Sequence, residues 1–163
     1  MATYRLQALL GIRERAEEAA KEAFALAMNA LAKEQKTLQD MEDELVRMIE
    51  DRKRRREEYS QKLASGEMKI TDQSAAYRFI ERLKEREAEQ SARIDGQKEA
   101  VREAEKVLKR AQDALVVATQ ELKALQKHKE KWAEEVKRER MMREEDQMDE
   151  IGQTIFNQGK SGR

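Results

Sequence analysis

No cysteine occurs in the 163 residues, which removes disulfides, thiolate metal sites and cysteine nucleophiles without bearing on compartment. Proline is also missing and glycine holds only six positions, so the usual interruptions of a helix are nearly gone. Aromatic residues make up 4% of the chain and histidine occurs once. That leaves too little bulk for a thick core and too few imidazoles for a histidine-built metal centre. Charge of one sign is lacking as well: 34 basic and 34 acidic residues cancel, so no global field draws the protein to nucleic acid or to an anionic membrane. No run of eighteen apolar residues exists, and Arg13, Glu14 and Arg15 break the first apolar stretch. Neither a spanning helix nor a leader is expected, and the chain is expected to stay soluble, with no direct membrane insertion.

What is present is charge and helix formers. Charged residues are 42% of the chain, and Ala, Glu, Lys, Arg, Leu and Gln supply strong helix propensity almost everywhere. The apolar residues must then form a thin seam. Leu10, Phe24, Leu31, Leu38 and Leu45 recur at one heptad position, and Leu6, Ala20, Ala27, Met41 and Met48 at the other. Arg13, Glu17 and Glu34 interrupt this seam, and it is lost near Arg52 and Arg55. The spacing predicts a first helix over about 4–63, paired less firmly towards Tyr59.

The sequence from Ala64 to Asp72 is the one convincing turn, with Gly66 as a helix C-cap and Thr71 or Asp72 as the next N-cap. A second heptad run follows, with Ile80, Ile94, Val101, Leu108, Leu115, Leu122 and Val136 in one position. Leu83, Ala104, Ala111, Ala118, Leu125 and Trp132 take the other. This predicts a second helix over about 73–150 and a flexible tail over 157–163. A short turn between two long helices makes them antiparallel. The expected fold is therefore all-α, a single long antiparallel two-helix coiled-coil hairpin, its first arm about 90 Å long at ~1.5 Å per residue.

Such a hairpin has no interior in which to gather catalytic groups, so the chain reads as non-enzymatic, without cofactor or metal. His128 near Glu135 is an isolated imidazole and reads as a helix-surface residue. Arg52 to Arg56 form a basic run, but Glu57 and Glu58 follow and no aromatics are interleaved for base stacking. A solvated face or a site for an acidic protein fits better than nucleic acid. Large apolar residues off the seam carry more information. Tyr59, Met68, Ile70, Tyr77 and Phe79 surround the turn, as a small tip core or a docking surface. Leu9, Leu10 and Ile12 meet Trp132, Met141, Met142, Met148, Ile151, Ile155 and Phe156 at the other end, where the longer second helix projects. Docking and fraying are the two readings there.

Both ends and the tip resemble the YscO/FliJ-like stalk proteins of type III secretion systems, especially the non-flagellar YscO branch. The opening Tyr4-Arg5-Leu6-Gln7-Ala8-Leu9-Leu10-Gly11-Ile12-Arg13 is similar to that branch's aromatic-x-Leu and leucine pair before a basic turn. His128-Lys129-Glu130-Lys131-Trp132 and Gln147-Met148-Asp149-Glu150-Ile151-Gly152 resemble its His-Lys-x-x-Trp and Gln-x-Asp-Glu-x-Gly signatures. The resemblance implies a central stalk that couples a hexameric type III secretion ATPase to the cytoplasmic domain of the membrane export-gate protein. It implies a cytoplasmic location, peripheral at the base of the secretion apparatus, and secretion chaperones as a third class of partner. By motif match, Tyr59, Phe79, Leu83 and Gln90 correspond to the gate contact. The family's other end resembles a rotary-ATPase rotor, which points to Leu6, Leu9, Leu10, Arg13, Trp132, Met142, Met148 and Ile151 for the ATPase. A chaperone escort or a generic coiled-coil scaffold is the alternative function.

Overall fold

A computed structural model describes residues 2–162. Two helices account for nearly all of them: α1, Gln7–Ala64, and α2, Ile70–Ser161, with no strand among the described residues. The fold class is all-α, a helical hairpin. No helix among the described residues is long and apolar enough to cross a membrane.

The helix ends differ from the sequence expectation in ways the backbone explains. The first helix starts at Gln7 rather than near Tyr4. A turn precedes it, in which the Gln7 N–H donates to the Tyr4 carbonyl at 3.1 Å. At its other end Gly66 has φ 77°, the left-handed conformation that a residue without Cβ adopts freely. The Glu67 N–H donates to the Lys62 carbonyl at 3.1 Å and the Gly66 N–H to that of Leu63 at 3.3 Å. These are the paired bonds of a Schellman stop, so the expected C-cap is correct.

The second helix begins at Ile70, ahead of the expected N-cap at Thr71 or Asp72. Asp72 caps from inside the first turn: its Oδ2 accepts from the Lys69 N–H at 3.3 Å. Its charge also lies at the positive end of the helix. The link is therefore residues 65–69 instead of 64–72. The expected tail over 157–163 is helical through Ser161, with Arg163 outside the described residues. Nothing there stops a helix: a glycine such as Gly159 costs only about 1 kcal/mol, and the Thr154 and Ser161 hydroxyls donate to carbonyls four residues back.

The single body expected from the sequence is divided into two compact units. One comprises Met1–Lys21 with Asp113–Arg163, and the other Glu22–Gln112. Each brings together a stretch of α1 and a stretch of α2, because two paired helices share contacts only between facing segments and have no common core.

In the Glu22–Gln112 unit the heptad positions are the covered ones. Ala27, Ile80, Ile94 and Val101 are buried, and Phe24, Leu31, Leu38, Met41, Leu45 and Met48 are half-buried. Each fully covered Ile or Val contributes roughly 1.5–3 kcal/mol. The register does not fail at Arg52: Arg52, Arg55 and Tyr59 occupy the same heptad positions and are half-buried. Arg52 Nε donates to Glu87 Oε1 at 2.7 Å, with both side chains largely covered. Gln97 Nε2 donates to the Glu34 carbonyl at 3.0 Å, and Gln90 Nε2 to the Met41 carbonyl at 3.0 Å. The partners descend along α1 as they ascend along α2, so the segments are antiparallel.

The other unit uses a shorter apolar seam with an aromatic clasp. Leu10 and Leu122 are buried, and Ala20, Ala118, Leu125, Trp132 and Val136 are half-buried. Arg13 pairs with Glu121, and Lys129 Nζ donates to Gln7 Oε1 at 2.9 Å. From Lys137 to Ser161 every residue of α2 is exposed.

Candidate functional sites

In the Glu22–Gln112 unit the four residues matched to a gate contact do not share one surface. Tyr59 and Leu83 lie half-buried on the seam. Gln90 is 8% exposed, and its amide is spent on the Met41 carbonyl. It faces the partner helix rather than solvent. Phe79 is the member beside the seam: half-buried, with the Arg55 guanidinium 5.1 Å and that of Arg82 5.8 Å from its ring centroid. Two cations on one ring make a face that is apolar at its centre and positive around it.

A separate groove lies around the turn. It has a volume of ≈ 540 Å³ and is walled by Tyr59, Leu63, Met68, Ile70 and Tyr77, with Arg56 and Lys84 at its rim. At about 100° per residue, the groove residues Arg56, Ser60 and Leu63 of α1 and Gln73, Tyr77 and Lys84 of α2 fall on one flank of the seam. Phe79 falls on the opposite flank. The groove is open to solvent, with Tyr77 67% and Ile70 86% exposed, so these residues form no closed tip core. Sequence spacing marked them as off the seam and left unresolved that they line an open groove.

In the unit of Met1–Lys21 with Asp113–Arg163, the expected ATPase-facing residues divide into two groups. Leu10 is buried, Leu9, Arg13 and Trp132 are half-buried, and Leu6 is at the surface. The sequence reading quoted Tyr4 in the opening motif and assigned it no contact. It is buried, with its ring 5.2 Å from Trp132 and 5.7 Å from His128 between centroids, in tilted packing that favours aromatic pairs. The Tyr4 hydroxyl and His128 Nδ1 form a 2.6 Å hydrogen bond, whose donor is fixed by the imidazole tautomer. His128 is thus a surface histidine with a structural task. The spacing of His128 and Trp132, one helical turn apart, was the available signal.

Met142, Met148 and Ile151 form the second group, 65%, 69% and 54% exposed. They lie on the part of α2 that no other segment of this unit covers. Among the described residues no group of three metal-ligating side chains is assembled. On α1, hydrogen bonding to Glu17 raises the Lys21 pKa, and hydrogen bonding to Glu44 raises that of Arg47.

Residues 1–161 match the family described as YscO-like protein. A solved structure from Chlamydia trachomatis, described as a YscO homolog, is 24% identical and covers 100% of both chains, with a TM-score of 0.82. At that identity the likeness speaks to the fold. Comparison with curated proteins gives no match.

Proposed function

The chain belongs to the YscO-like family of type III secretion proteins, and from that premise we propose that it is the stalk joining the hexameric export ATPase to the cytoplasmic domain of the membrane export gate. It works without catalytic chemistry or a cofactor, in the cytoplasm at the base of the apparatus. The observation that carries this reading is the uncovered end of α2, where Met142, Met148 and Ile151 stand exposed on a continuous helix. Apolar groups at such density contribute only when a partner desolvates them. A ring's inner wall is a partner of the right concavity. The same contact takes in Leu9, Arg13 and Trp132, half-buried in the paired part of this unit, where Arg13 is held by Glu121.

The gate contact falls on Phe79, the member of the motif-matched set that stands beside the seam. A stalk of this kind couples by touching ATPase subunits differently in their different states, which biases their conformations. Secretion chaperones remain a third class of partner, and the escort role is the competing function.

The test is ATP turnover by the cognate export ATPase. The full chain is expected to raise it, and deletion of residues 148–163 to abolish that rise while the remaining helices melt as before. Phe79→Ala is expected to weaken gate binding and leave ATPase stimulation intact. A truncated chain that stimulates as well as the full one would remove the C-terminal end from the ATPase contact. Binding to small helical chaperones alone would favour the escort role.

A further inference from the structure

The exposed end of α2 carries a second seam out of phase with the first. Continuing the paired seam beyond Trp132 and Val136 by heptads arrives at Glu139, Arg143, Asp146 and Glu150, all charged. The apolar residues Met141, Met148, Ile151 and Ile155 recur at intervals of seven, three and four. They form their own stripe, rotated roughly 150° about the helix at the α-helical period. All four are at least half exposed. Met141 and Met148 already border a shallow hollow with Glu144, Glu145 and Asp149. From Met141 to Phe156 five carboxylates accompany one arginine, so this is an acidic amphipathic helix with an unpartnered face.

The chemistry that would receive it is present on the same chain. The groove around the turn has apolar walls in Leu63, Ile70 and Tyr77 and a basic border in Arg56 and Lys84, with Glu81 the one carboxylate among its lining residues. Lys84 is shared with Glu81, whereas Arg56 has no carboxylate within 4.0 Å among the described residues. The sequence around it, from Arg52 to Arg86, holds eleven basic and six acidic residues. One surface is apolar and acidic, the other apolar and basic. An amphipathic helix laid into a hydrophobic groove, anchored at i, i+3 and i+7, is a recurring recognition mode.

We propose that the chain self-associates head to tail: the stripe Met141, Met148, Ile151 and Ile155 of one copy docks in the Leu63, Ile70 and Tyr77 groove of a second. The contact is heterologous, so a pair keeps one free groove, on one copy, and one free stripe, on the other. It is also small, which makes it reversible and concentration-dependent. Its opposed charges make it weaker in salt, since screening shortens from ~10 Å at 0.1 M to ~3 Å at 1 M. Self-association covers the α2 face assigned above to the ATPase, and this inference stands whether or not that assignment does.

Sedimentation velocity of the full chain tests it without any other protein. The sedimentation coefficient should rise with concentration in about 50 mM salt and rise several-fold less in about 500 mM. Tyr77→Glu in the groove and Ile151→Asp on the stripe alter exposed positions, so both should keep wild-type helicity by circular dichroism and sediment as monomers. Ile70→Glu serves in place of Tyr77→Glu if that variant loses helicity. The decisive arm mixes the two variants. One retains a stripe and the other a groove, so the mixture should form a 1:1 pair and nothing larger. A wild-type coefficient independent of concentration, self-association of either variant alone, or failure of the mixture to pair would each overturn the proposal. The first of these outcomes would also leave the groove to a helix from another protein.

Discussion

The two units solve the same packing problem with different chemistry. In the Glu22–Gln112 unit, α1 and α2 are joined by polar contacts set among the buried apolar positions: Arg52 to Glu87, Gln90 to the Met41 carbonyl, and Gln97 to the Glu34 carbonyl. In the unit of Met1–Lys21 with Asp113–Arg163, the joint is a buried leucine pair and an aromatic clasp, with the Arg13–Glu121 and Gln7–Lys129 contacts at its exposed edge, followed by bare helix. Apolar contacts are non-directional and tolerate a shift of one heptad. Paired polar groups inside a seam do not, because any other register leaves them unsatisfied. The comparison teaches that the turn-proximal unit specifies alignment, and that the terminal unit supplies adhesion and leaves surface free for others.

The largest effect is expected from breaking the apolar part of the first unit. Ile94 is 6% exposed, and Ile94→Asp places an unpaired carboxylate where water is excluded. This should cost more than about 4 kcal/mol, combining the lost burial with the desolvation of the charge. Circular dichroism should show loss of most helicity or a melt lowered by tens of degrees. An unchanged melt would mean that the seam contributes little.

The next effect tests the polar half of the comparison. Arg52→Ala strands Glu87 in a largely covered position, with an expected cost of about 2–4 kcal/mol, somewhat below that of a fully buried pair. Replacing both residues with methionine should restore the melting temperature, since well-packed apolar groups often match a buried ion pair. The double variant should still lose alignment. A spin-label distance between α1 and α2 within the Glu22–Gln112 unit should broaden in it while the melt stays sharp. A narrow distribution would show that Gln90 and Gln97 suffice to fix the register.

Much of this division was legible in the sequence, and the illegible part has a common cause. Heptad spacing gave both helices and most of the covered positions through Val136, because periodicity reports which face is buried, and glycine cap chemistry gave the stop at Gly66. It misread Arg52 and Arg55 as the end of the seam. Hydrophobicity alone cannot distinguish a charge lost to solvent from one held by Glu87 on the other helix. The same limit applies to Gln90, whose motif match pointed outward while its amide turns inward to a backbone carbonyl. The start of α2 was misjudged because Asp72 serves as well inside the first turn as at the N-cap. Tyr4 was hidden because its partners, His128 and Trp132, lie far along the chain.

The smallest expected effect sharpens the other side of the comparison. Tyr4→Phe keeps the ring against Trp132 and His128 and removes only the hydroxyl bonded to His128 Nδ1. One such hydrogen bond contributes about 0.5–1.5 kcal/mol, and it lies at a helix end that frays before the rest. Global melting should therefore hardly move. The local readout is Trp132, the chain's one tryptophan, whose fluorescence reports the clasp alone. In Tyr4→Phe its emission should keep its wavelength, because the packing remains, while its low-temperature transition shifts down by a few degrees. In Tyr4→Ala the emission should move to the red as solvent reaches the indole. If Tyr4→Phe reddens the tryptophan as far as Tyr4→Ala does, the hydroxyl bond and not the ring packing holds the clasp, and the terminal unit too is aligned by a polar contact.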